Sequence, residues 1–329
     1  MKKRVVVGAL PEPIGGVSNF IFRLASGNLI KKIIDIYPSE HKKIPSTYKG
    51  SVLQLKGLFS LYFHLLIFGH RYKKEIIHFN FSRSRSLIFF LLLPKVSEQY
   101  ELTLHHGVLS PIWLSRLFKV CLRNFDRIYS LSAKQTSFYE SVCDEHQTIV
   151  ETSSYVKYTL DNKGIDLDVL KAIEAFFGNR FNIVASGTEN KLYNHEWVIK
   201  YAQENRSVNV ALFVYGDDYR SIELLAKDVA NVQVFPLVNV DTFNRALTLS
   251  SVYVRPTLRD SFGIAVADAY ELGVPVLASD VCDRFPGVYI FNPDSYDTFS
   301  KKLTLLIENK TQELDVQVNK CFSEFKYIG

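Results

Sequence analysis

Ten short runs rich in Val, Ile and aromatic residues recur along the chain, and stretches with helical apolar spacing fit between most of them. The first five lie at 4–9 (RVVVGA), 32–37, 75–81, 100–106 and 127–132, and the second five at 181–187, 208–216, 231–237, 251–256 and 275–279. Apolar runs of this kind fit strands buried on both faces, and strands separated by helices join as βαβ units in parallel sheets. A length of 329 residues leaves room for two domains, and two smaller sheets are favoured over a single sheet of ten strands. The best break is the polar, turn-rich stretch SSYVKYTLDNKGIDL at 153–167. We therefore expect an α/β chain with domains 1–157 and 158–329, the final helix being a candidate to cross back to the first. Open parallel sheets bind ligands at the carboxyl ends of their strands, here in a crevice between the two domains.

The net charge of +5 conceals an asymmetry. Residues 1–160 hold 22 Lys and Arg against 11 Asp and Glu, whereas the remainder holds 17 against 23. A basic half beside an acidic one points to an anionic partner for the first half. Its basic residues interleave with aromatics at 56–74 (KGLFSLYFHLLIFGHRYKK) and 115–125 (SRLFKVCLRNF). Such helices suit an anionic membrane surface, and equally the solvated outer face of an ordinary domain. The most apolar runs, 58–68 and 87–93, fall short of the roughly 20 residues that a spanning helix needs. The N-terminal MKKRVVVGALPEPIGG reads as a first buried strand rather than a leader. Cys121, Cys143, Cys282 and Cys321 are scattered, without metal-ligand spacing, which fits free thiols and a cytoplasmic location. No nucleic-acid-binding module is recognised.

Three loops that follow predicted strands carry the candidate chemistry. In PEPIGGVSNF (11–20), Gly15 and Gly16 precede a helical pattern. Glycines there allow backbone N–H groups to approach an anion, although two glycines also make a plain turn. In LTLHHGVLSP (102–111), His105 and His106 end a strand. With no further ligands at HxxxH or HxH spacing, a hydrogen bond to a hydroxyl or phosphate oxygen is favoured over metal binding. His78, at another strand end, reads as structural.

The third loop opens RPTLRDSFGIAVADAYELGVPVLASD (255–280). A strand ends at Arg255, a loop carries Asp260, and the spacing predicts a helix over roughly 262–272 that packs Phe262, Val266 and Ala269 on the sheet. Asp260 or Ser261 could simply cap that helix, which leaves Asp268 unexplained. Alternatively, backbone N–H groups at 261–264 receive a diphosphate and the two carboxylates bind hydroxyls of two sugars. A nucleotide-sugar has that order of ribose, diphosphate and hexose.

This stretch resembles the C-terminal signature of the retaining glycosyltransferases of family 4, which have the GT-B fold. That signature is two glutamates separated by seven residues and followed by Gly-x-Pro-Val; here Asp260 and Asp268 precede Gly273-Val274-Pro275-Val276. The Gly15-Gly16 loop and TLHHG match two N-terminal stretches of the family in the expected order, so the resemblance covers residues 4 to about 292. It implies two Rossmann-like domains, with parallel sheets facing each other across a cleft. It also implies transfer of a sugar from a nucleotide-sugar to a glycan acceptor. By position, Asp260 contacts the transferred sugar and Asp268 the ribose, while backbone groups of Phe262, Gly263 and Ile264 hold the diphosphate. His105 reaches the donor sugar, with His106 as the fallback, and Gly15 and Gly16 line the phosphate side.

Two departures accompany the match. Both acids are aspartates, and the family's Gly-Arg-Leu with a following Lys-Gly is replaced by ASGTENKLYNHEW (185–197). Lys191 and Arg255 are then the candidate cations for the diphosphate, unless Arg255 pairs with a neighbouring carboxylate. The resemblance further implies a metal-independent, hexosyltransferase-like enzyme with no cofactor besides its nucleotide-sugar co-substrate, and no DxD-type site is present. The basic first half suits a lipid-diphosphate-linked acceptor at the inner membrane face, as in surface polysaccharide assembly. A sugar-nucleotide epimerase of the same architecture and a non-catalytic nucleotide-sugar-binding protein are the alternatives. A nicotinamide oxidoreductase lacks its glycine fingerprint.

Overall fold

The structure is a computed structural model that describes residues 4–11, 15–38, 42–91, 95–105, 115–158, 160, 162–216, 218–260, 262–316 and 324–327. The chain divides into two compact units, residues 1–158 with 323–329, and residues 159–322.

The first unit is a seven-stranded sheet in the order β3-β2-β1-β4-β5-β6-β7. Its strands are β1 (Arg4–Gly8), β2 (Lys32–Asp35), β3 (Ser51–Gln54), β4 (Ile76–Phe81), β5 (Gln99–Leu104), β6 (Arg127–Ser130) and β7 (Thr148–Glu151). Every pairing among them is parallel. Helix α1 (Gly16–Ser26) covers one face, packing Phe20, Ile21 and Leu24 on Val6 and Ile33. The other face is covered by α2 (Gly57–Phe68), a 3-10 turn at Ser84–Leu91, α3 (Ser115–Leu122) and α4 (Ala133–Val142). Ser132 caps α4 by accepting from Gln135 N at 3.2 Å, a contact that contributes about 1 kcal/mol in helices generally. Gly8 is needed for packing, since a Cβ there would meet Ile21 Cδ1 at 2.4 Å and Asn80 O at 3.2 Å.

The C-terminal residues 324–327 belong to this unit. Phe325 N donates to Tyr155 O at 2.7 Å, and its ring lies buried between Phe20, His78 and Tyr129. His78 is itself buried, bridging Thr103 Oγ1 at 2.8 Å and Tyr327 Oη at 3.0 Å. Its place in the core agrees with its reading as a structural residue.

The second unit is a six-stranded sheet in the order β10-β9-β8-β11-β12-β13, again with only parallel pairings among its described strands. The strands are β8 (Phe181–Gly187), β9 (Val208–Val214), β10 (Val232–Pro236), β11 (Val252–Arg255), β12 (Val276–Ser279) and β13 (Tyr289–Phe291). On one face lie α5 (Leu167–Phe177), α8 (Val240–Leu247) and α9 (Ile264–Glu271); on the other lie α6 (His195–Glu204), α7 (Tyr219–Ala226) and α10 (Tyr296–Ile307). Strand β9, VNVALFV, is buried at every residue, as a run that is apolar except for Asn209 requires of an interior strand.

Both sheets have the doubly wound order in which the chain starts in the middle, builds outward to one edge, then returns to build the other. The order reverses between β1 and β4 in the first unit and between β8 and β11 in the second. Ligands of such sheets bind beyond the carboxyl ends of the strands at these reversal points.

Candidate active site

In the second unit the loops after β8 and β11 meet at the reversal point. Leu258 N donates to Leu192 O at 2.8 Å, and the Arg255 guanidinium lies 4.8 Å from the centre of the Tyr193 ring. Lys191 opens the 3-10 turn Lys191–Tyr193 in this loop and is exposed. The fold therefore brings the turn of Lys191 beside Arg255, Asp260 and Gly263.

Asp260 is the centre of an ion cluster. Its Oδ2 accepts from Arg255 Nε at 3.1 Å and from Arg284 Nη1 at 2.8 Å. Arg255 also donates from Nη1 to Ser186 O at 2.8 Å, which ties the end of β11 to β8. Thus Arg255 does pair with a neighbouring carboxylate, and that carboxylate is Asp260. Burial acts to raise the Asp260 carboxyl, but the Arg255 and Arg284 guanidiniums outweigh it and hold it well below the usual carboxylate range. Two guanidiniums against one carboxylate leave the cluster with a surplus of positive charge.

Arg284 is the member that the sequence did not disclose. It is wholly buried, and its remaining donors reach Ser279 O at 3.0 Å, Phe262 O at 3.3 Å and Thr257 Oγ1 at 3.2 Å. It follows β12 in DRFPG, where nothing in the local pattern marks an arginine as interior.

The helix predicted over 262–272 begins at Ile264, with Gly263 as its N-cap at φ 79° and ψ 73°. No side-chain cap is found among the described residues. The carboxylate of Asp260 is engaged by the arginines, and Ser261 lies outside the described residues. Gly263 is required twice over: its φ is left-handed, and a Cβ would come within 2.7 Å of Arg284 Nη1 and 3.1 Å of Asp260 Oδ2. Phe262, Val266 and Ala269 are buried as their spacing predicted. Asp268, in the middle of α9, is buried as well. The backbone of Phe262, Gly263 and Ile264 thus lies at the start of α9, where the positive helix pole favours an anion.

Two further groups follow β8, Glu189 in its loop and His195 as the first residue of α6, and no pattern in the sequence marks them. His195 donates from Nε2 to Thr188 O at 3.0 Å, and its Nδ1 is buried without a hydrogen-bond partner. Burial pushes this imidazole down to about 4. Glu189 Oε2 is likewise buried and unpartnered, pressed against Gly216 after β9. Both are acceptors without a donor among the described residues.

In the first unit, Gly15 and Gly16 sit at the start of α1 and are exposed, Gly15 N donating to Ser18 Oγ at 2.8 Å. A Cβ at Gly16 would meet nothing within 4 Å. His105 directly follows β5, with Nε2 donating to Asn80 Oδ1 at 3.1 Å and its ring 4.8 Å from Phe20 of α1. Burial pushes it down to about 3, so it works as a neutral imidazole. The sheet thereby gathers His105 and the start of α1 at the carboxyl ends of β1, β4 and β5. His106 and Gly107 lie outside the described residues.

Residues 180–309 match the family model described as Glycosyl transferases group 1. That match lies wholly within the second unit and spans most of it. Solved structures extend the likeness in fold to nearly the whole chain. The sucrose-phosphate synthase of Thermosynechococcus elongatus superposes with a TM-score of 0.67 at 14% identity, over 94% of this chain and 90% of that one. Anabaena HepE in complex with UDP-glucose gives 0.68 at 12% identity, over 94% and 91%. The E. coli trehalose-6-phosphate structure bound with UDP-2-fluoro glucose gives 0.61 at 11% identity, over 93% and 91%. No curated protein matches the sequence. The fold is GT-B.

Proposed function

We propose that the chain is a glycosyltransferase that moves a sugar from a nucleotide-sugar to a glycan acceptor with retention of configuration. The observation that carries the reading is the Arg255–Asp260–Arg284 cluster at the reversal point of the matched domain, with its surplus positive charge beside the start of α9. A diphosphate there is stabilised by the helix N–H groups and by Lys191 from the adjacent loop. HepE bound to UDP-glucose and the E. coli structure bound to UDP-2-fluoro glucose support a nucleoside-diphosphate-sugar as donor.

In this reading Asp260 has two tasks. Its ionised Oδ2 holds the arginines, and a carboxylate has about four lone-pair sites, enough also to accept from sugar hydroxyls. Asp268 takes the ribose. The neutral His105 orients the sugar by a hydrogen bond, its protonation state fixed by burial. As the glycosidic bond to the diphosphate breaks, charge grows on the leaving oxygens, and the fixed dipoles and cations oppose it without reorganising. The acceptor hydroxyl attacks on the face that the diphosphate leaves, so no protein nucleophile is assigned.

The acceptor is assigned to the first unit, whose basic balance fits a lipid-diphosphate-linked glycan and a place on the inner membrane face during surface polysaccharide assembly. None of the helices among the described residues is long and apolar enough to cross a membrane. A thermal-shift screen over nucleotide-sugars tests the donor, since a ligand at about 100 times its Kd adds about 2.7 kcal/mol. Incubation with the stabilising donor alone should yield no isomer; an isomer would identify an epimerase instead.

A further inference from the structure

The surface of the first unit holds an apolar patch made of residues that have no part in the site described above. Helix α2 turns Leu61 and Leu65 into the core, yet Phe59, Phe63, Leu66 and Ile67 on its opposite side are 83%, 59%, 48% and 62% exposed. Their spacing of i, i+4, i+7 and i+8 places them on one stripe about 12 Å long. The stripe does not end with the helix. The 3-10 turn Ser84–Leu91 packs beside α2 and exposes Ile88 and Leu91. Helix α3 packs beside that turn and exposes Leu117 and Val120. Single exposed apolar residues are ordinary, but a run across three adjoining elements marks an interaction surface.

The charge around the patch states its partner. From residue 56 to residue 91 the chain carries Lys56, Arg71, Lys73, Lys74, Arg83 and Arg85, all exposed, against the single acid Glu75. That acid is bound by Lys31 Nζ at 2.7 Å. Arg71 lies 4.8 Å from the centre of the Phe68 ring, its stem along the apolar surface and its charge at the edge. Aromatic and aliphatic side chains flanked in sequence by exposed cations, on helices too short to span, match an interfacial segment, with rings at the acyl boundary and cations among anionic headgroups.

We propose that this face of α2, the 84–91 turn and α3 seats the enzyme on an anionic lipid bilayer. The proposal deepens the reading of a lipid-linked acceptor, because docking confines the search for acceptor to two dimensions.

The test is sedimentation of the full chain with vesicles of pure phosphatidylcholine and with vesicles containing phosphatidylglycerol, at low and high salt. Wild type should bind the phosphatidylglycerol vesicles and weaken in high salt. Phe59→Ser/Phe63→Ser should lower partitioning by at least about tenfold, since each buried ring contributes to transfer. Lys73→Gln/Lys74→Gln should weaken binding to the anionic vesicles alone. Circular dichroism and the donor thermal shift serve as controls, both unchanged in every variant. Phe63→Trp should shift its emission to the blue on vesicle addition. Donor binding without any vesicle binding would overturn the docking face and leave the transferase reading standing. Vesicle binding without donor binding would do the reverse. Loss of a dimer in sedimentation velocity by Phe59→Ser/Phe63→Ser, with no vesicle binding, would assign the patch to a second copy and also overturn the proposal.

Discussion

Arg284 Nη1 donates to Asp260 Oδ2 at 2.8 Å, across 24 positions of sequence. The same oxygen accepts from Arg255 Nε, so a single carboxylate joins the ends of β11 and β12. Removing Arg284 would leave Ser279 O and Phe262 O without this donor and would take one of its two counter-charges from Asp260. Arg284→Met should therefore cost roughly 3–5 kcal/mol, the range for breaking a buried pair by deleting one partner. Arg284→Lys should recover only part, because an ammonium lacks the planar fork that meets several acceptors together. Denaturant titration gives the answer, and a Met variant as stable as wild type would show that the cluster does not hold the loop.

Lys191 separates binding from folding. It is exposed, so Lys191→Ala should leave the melting temperature within about 1 °C of wild type, as surface changes do. If it grips the diphosphate, donor Kd should rise about tenfold, equal to about 1.4 kcal/mol. Titration calorimetry with the donor checks this; an unchanged Kd would remove Lys191 from the site.

Acid should weaken the fold before it titrates Asp260. Burial pushes His105 down to about 3 and His195 to about 4, against an ordinary 6.5. Below pH 6.5 the unfolded chain binds protons that the folded chain refuses, so stability is full above that pH and declines as the pH falls toward 4. Asp260, whose carboxyl is lowered instead, adds its own loss only below about pH 4. Denaturant midpoints measured from pH 8 to pH 4.5 should fall, and His195→Gln, which keeps a donor for Thr188 O, should flatten the slope. A midpoint constant over this range would contradict the buried neutral imidazoles.

The sequence disclosed ten of the thirteen described strands, most of them apolar runs that lie buried. It did not disclose β3, β7 and β13. These are edge strands of three or four residues, and SVLQ and TIVE are exposed at both ends, so no hydrophobic pattern marks them. The same distinction holds at the site. Arg255, Asp260, Gly263 and Asp268 lie within one strand–loop–helix and could be read together, whereas Arg284 joins them only after β12 has paired with β11. The start of α9 shifted from 262 to 264 because a left-handed glycine, rather than a side-chain cap, begins the helix.

The central claim is that Asp260 serves the transferred sugar while the surrounding cations serve the diphosphate. Asp260→Asn keeps the shape and removes the charge, so the two arginines lose their counter-ion and nucleoside-diphosphate affinity should hold or rise. The most direct measurement is the transfer rate of this variant beside its nucleoside-diphosphate Kd, on protein shown to be folded by its melting curve. Turnover should drop about a hundredfold with Kd no weaker than wild type, and undiminished turnover would contradict the assignment.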